Sequence, residues 1–98
     1  MGEHIESNDN NELKIQLQEL HDYLVNASHI SAADRDMLST MVVGILRLAD
    51  DQKLTPETAD DHNLRELLEQ KSLVYEAEHP QLAFALHQVL DILSRMGI

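Results

Sequence analysis

Glu76 and His79 form a single E-x-x-H, the spacing that in helical bundles presents two metal ligands on one face. A di-metal carboxylate centre built this way needs the motif on two helices, with further inward-facing glutamates. Here the motif occurs once, next to Pro80, and no inward glutamate accompanies it. The histidines, at positions 4, 21, 29, 62, 79 and 87, contain no i, i+4 pair and no H-E-x-x-H. Cysteine is absent, which removes thiolate nucleophiles, disulfides and cysteine-ligated metals. The three glycines are isolated, so no loop is built to cradle a phosphate. The sequence therefore predicts no catalytic residue, no cofactor site and no metal site.

Charge narrows the partners. Eighteen acids face seven Lys plus Arg, for a net charge of -11. Nucleic acid needs a basic face, and an anionic membrane surface would repel this chain. A soluble, self-repelling protein fits, as does one whose partner is basic. The start, MGEHIESNDN, is acidic and resembles no secretory signal, and the longest apolar run, MVVGIL, is too short to cross a bilayer. The expected location is cytoplasmic.

With 98 residues, the chain has material for one domain. Aromatics are scarce, so the core must be aliphatic, which suits helices. Residues 1–11 carry no Lys or Arg and read as a disordered acidic tail. Leu13, Leu17, Leu20 and Leu24 then fall at i, i+4, i+7, i+11, predicting a first helix near 12–27. Ser31 is an N-cap signal for a second helix near 32–50, whose apolar arc covers about half its circumference. Gly44 interrupts this helix at the edge of that arc: either a tolerated glycine or a point where another helix comes close. Thr55-Pro56 is a further start signal. Residues 51–62 read as loop, frayed turn or early helix, and a third helix spans 57–78 at its widest. Leu64, Leu67, Leu68, Val74 and Tyr75 form its stripe. Lys71 falls inside that stripe and either snorkels from an edge or pairs with Glu78 or another helix's acid.

His79-Pro80 forces a break, because the residue before proline is driven out of helical geometry. His79 is read as a structural corner, with a pH-sensitive hinge as the functional alternative. The last helix runs from Pro80 to about Met96, with half its circumference apolar. Gly97 stands where a left-handed residue ends a helix, and Ile98 where a Schellman motif folds its apolar contact back onto Leu93. This helix is expected to be the central packing element. Phe84, the one phenylalanine, projects onto its polar side. It either packs on a loop or the tail, or anchors a second subunit or partner.

The closing stretch YEAEHPQLAFALHQVLDILSRMGI, with its E-x-x-H-P and terminal M-G-I, resembles a small acidic bacterial family catalogued only as a domain of unknown function. The earlier LQELHDYL resembles that family's L-x-x-L-H-x-x-L segment. The likeness covers residues 12–50 and 64–98, with the tail and 51–62 outside it. It implies a bacterial helical protein with no assigned activity and transfers no site residues.

The fold expected is all-α: a short four-helix bundle of two hairpins over residues 12–98, complete as a monomer or completed by dimerisation. Wide stripes on the second and last helices call for two or more neighbours each, which a monomeric bundle of four helices or a two-fold dimer supplies, the dimer being preferred. The function expected is that of a small interaction or structural protein, a homodimer working through helix–helix contacts. An acidic regulator of a basic protein, of the nucleic-acid-binding kind or another, is the alternative. A metal-dependent enzyme ranks last.

Overall fold

The computed structural model describes the backbone from Gly2 and the side chains from Asp9. Five helices follow one another: α1 (Gly2–Asn26), α2 (Ala32–Asp50), α3 (Pro56–Asp61), α4 (Leu64–Tyr75) and α5 (Pro80–Arg95), with no strand among the described residues. Two antiparallel hairpins, α1 with α2 and α4 with α5, join where α1 packs on α5, and the single-turn α3 sits against α4. The order in space is therefore α2, α1, α5, α4. The protein is a small all-α bundle.

The leucine stripe of α1 explains its central place. Leu13, Leu17, Leu20 and Leu24 are all essentially inaccessible. On α5, Leu82, Leu86, Val89, Ile92 and Leu93 are equally buried, and Ala83 joins them. A fully buried Leu contributes roughly 1.5–3 kcal/mol relative to exposure, so these two helices hold most of the apolar free energy. Polar ties set their ends. Arg95 donates to Glu12 at 2.7 Å and pairs with Asp91 at 3.8 Å. Asn10 donates to the Ala49 carbonyl at 3.0 Å, linking α1 to the end of α2.

Caps bound the helices. The Ser31 hydroxyl accepts from the Asp34 amide at 3.2 Å, and the Thr55 hydroxyl accepts from the Thr58 amide at 3.2 Å. Pro56 and Pro80 open α3 and α5. At the C-terminus Gly97 takes φ 82°, the Ile98 amide donates to Leu93 O at 2.9 Å, and Gly97 donates to Ser94 O at 3.1 Å. These are the two bonds of a Schellman motif, and Ile98 packs back on the core.

Several expectations are corrected. The first helix starts well before residue 12: residues 9–11 are helical, whereas the side chains of residues 1–8, on which most of the proposed tail falls, lie outside the described residues. The third helix is two pieces, because Asn63 adopts the left-handed conformation (φ 52°) between α3 and α4. Asn tolerates that conformation better than most residues. Residues 51–55 are turn and coil, and residues 56–61 are helix. Val74 is 62% exposed and does not belong to the core. Among the described residues Lys71 is half-buried and forms no ion pair, with Glu78 or any other acid. A Cβ on Gly44 would meet nothing within 4 Å among the described residues, which leaves the tolerated glycine of the two readings.

Candidate interaction groove

The broad apolar arc of α2 divides into two stripes. Leu38, Val42, Ile45 and Ala49 are buried against α1. Met37, Met41, Gly44 and Leu48 form a second stripe about 60° wide, centred about 100° round the helix from the first at 100° per residue, and are half-buried or exposed. Among the described residues α1 is the only helix packed closely along α2. The second stripe therefore faces a groove of about 520 Å³, whose other wall is Leu64 and Leu67 of α4, with His62 at its edge. Arg47 and Asp51 stand on the α2 rim. Thus α2, whose arc called for more than one neighbour, has one among the described residues.

Tyr75 brings the end of α4 close to the start of α2. Tyr75, at the end of α4 and 5% exposed, faces the Asp34 carboxylate in the first turn of α2. Burial, the hydrogen bond to Asp34 and the charges of Asp34 and Glu78 all disfavour the phenolate, so the Tyr75 hydroxyl is pushed up to about 12. At the other end of α2, the turn of residues 51–55 carries the chain across to α3.

A second hollow, of about 460 Å³, lies at the corner where α1 ends and α5 begins, lined by Glu19, Asp22, Tyr23, His29 and His79 among others. The His79 ring tilts against Tyr75 with centroids 5.8 Å apart, and its amide donates to Tyr75 O at 2.7 Å. Among the described residues no three His, Asp or Glu side chains converge in a way that could hold a metal ion. Nor is any helix among them long and apolar enough to cross a membrane. Glu76 is exposed at the end of α4, and His79 is part-buried at the corner.

The family described as Domain of unknown function (DUF4404) matches residues 13–98, more than four-fifths of the chain. The chain belongs to the DUF4404 family. The DUF4404 match opens at Leu13, the first buried leucine of α1, and spans the 51–62 segment as well as both hairpins. Neither a curated protein nor a solved structure matches the chain.

Of the residues singled out in the sequence for interaction, the DUF4404 fold brings Gly44 alone to the groove. Phe84 is 63% exposed on α5, and Lys71 lies on α4; neither lines the groove. His79 and Pro80 form the α4–α5 corner, while Ser31, Thr55, Gly97 and Ile98 act at helix ends. Sequence reasoning placed Met37, Met41 and Leu48 on the apolar arc of α2. It did not separate them from the core stripe beside them. Their signal was the i, i+4, i+7, i+11 spacing through Gly44, which repeats the spacing of the leucines on α1.

Proposed function

We propose that this DUF4404 protein is a small helical interaction module that self-associates through the groove between α2 and α4 and performs no chemistry of its own. One observation carries the reading: α2 presents a second apolar stripe to an open groove and has one close helical neighbour. A bundle whose helices each bury one stripe would leave no such surface. A cytoplasmic setting belongs to the same proposal, and the acidic, well-hydrated surface suits it.

The competing reading, an acidic regulator of a basic protein, asks for acids gathered on one face. Instead every helix carries exposed acids: Glu19, Asp36, Glu57, Glu66 and Asp91 sit on the five in turn. That distribution favours simple solubility.

Sedimentation equilibrium over a wide concentration range tests the proposal. A reversible monomer–dimer equilibrium, with a melting temperature that rises with concentration, is the expected result. A strict monomer at high concentration overturns it.

A further inference from the structure

We infer that the occupant of the groove is α2 of a second copy, lying antiparallel on α2 with Met37 facing the partner's Leu48 and Met41 facing the partner's Gly44. This rests on the self-association just proposed and specifies its seam.

The first argument is spacing. Met37, Met41, Gly44 and Leu48 step by 4, 3 and 4 residues, the alternation of a two-stranded coiled-coil seam. The second is shape. Antiparallel pairing about the middle of this stripe sets the long Met41 against Gly44, where a Cβ would meet open space, and does so twice by symmetry. A glycine that nothing among the described residues approaches thereby gains a close neighbour. The third is charge. Asp36 and Arg47 project from the same flank of α2, one near each end of the stripe, and both are exposed. Antiparallel pairing brings each Asp36 beside the other copy's Arg47. Parallel two-fold pairing would place the two copies of this flank on opposite edges of the seam, where Asp36 and Arg47 of the two copies do not meet and the pair is lost. Leu64 and Leu67, across the groove, would then cover the flank of the incoming helix.

The chain contains no cysteine, so introduced thiols report alone. Positions 37 and 48 of one helix are about 16 Å apart at 1.5 Å per residue, beyond the reach of a disulfide. The double variant Met37→Cys/Leu48→Cys should therefore oxidise to covalent dimers, whereas Met37→Cys and Leu48→Cys singly should not. Asp36→Arg and Arg47→Asp should each weaken association about fivefold or more, and the two combined in one chain should restore it. Circular dichroism melts of each variant at low concentration check that it folds.

Cross-linking of the single variants would mean parallel pairing and would overturn the inference. So would a dimer in which neither the double variant nor the singles cross-link, because the seam would then lie elsewhere while self-association stands. A chain that stays monomeric at every concentration removes both this inference and the proposal beneath it. Dimers that resist the charge exchange but cross-link through 37 and 48 keep the register and overturn the assigned charge pair.

Discussion

Gly44 and Gln52 occupy each other's natural positions. Gly44 is in the middle of α2, where Ala is favoured by up to about 1 kcal/mol. Gln52 ends the same helix at φ 57°, and Lys53 donates to Leu48 O at 2.8 Å, so a non-glycine residue holds the left-handed place of a Schellman motif. At Gly97 the same conformation is met by the residue suited to it. Urea denaturation of dilute protein should show these differences. Gly44→Ala should gain up to about 1 kcal/mol, since the added methyl meets nothing. Gly97→Ala should lose about 1 kcal/mol from the left-handed strain alone, space being free there too. Gln52→Gly should gain less than about 1 kcal/mol, because relief of strain is partly offset by the freer unfolded chain. The end at Gly97 was legible from sequence, since glycine followed by an apolar residue is a stop signal. The one at Gln52 was not, since nothing about a glutamine announces positive φ. Asn63 was missed for a related reason: in the polar run DDHN it looked like one more loop residue, and its backbone is what divides α3 from α4.

At the scale of elements, periodicity was a sound guide wherever one stripe met one core. The leucines of α1 and the apolar arc of α5 are buried as their spacing requires, and α5 touches both α1 and α4. Leu86, fully buried at the middle of α5, and Phe84, two residues before it and 63% exposed, make a direct comparison. Leu86→Ala should lower stability by about 2–5 kcal/mol, a large share of what a domain of this size possesses. Phe84→Ala, removing a larger side chain, should stay within about 0.5 kcal/mol. Thermal melts of the two variants at one concentration check the ranking; equal losses would mean that Phe84 is covered. Periodicity said less for α2 and α4. Val74 follows Leu67 by two turns, yet it is exposed, because spacing specifies an angle around a helix and not whether a neighbour stands at that angle.

For the whole molecule, two opposing terms govern association. A net charge of -11 on each copy repels, and the apolar seam attracts. In the antiparallel register the acids at the ends of the stripe, Asp34 and Asp51, also come opposite one another. Added salt screens repulsion between exposed charges over about 10 Å at 0.1 M. Self-association should therefore tighten as salt is raised from about 0.01 M to 0.3 M, as read by sedimentation equilibrium. A complex with a basic partner would weaken over the same range, so the sign of the salt effect separates the two readings.

The positions of α2 and α5 and the inner faces of α1 and α5 followed from the sequence itself, because 3.6-residue periodicity, prolines and capping hydroxyls are local properties of the chain. So did its acidity. The lateral order α2, α1, α5, α4, and hence the unfilled side of α2, came only with the tertiary structure. Which of two adjacent apolar stripes finds a neighbour depends on how the hairpins dock, and docking is decided by packing among residues far apart in the chain, not by the pattern within one helix.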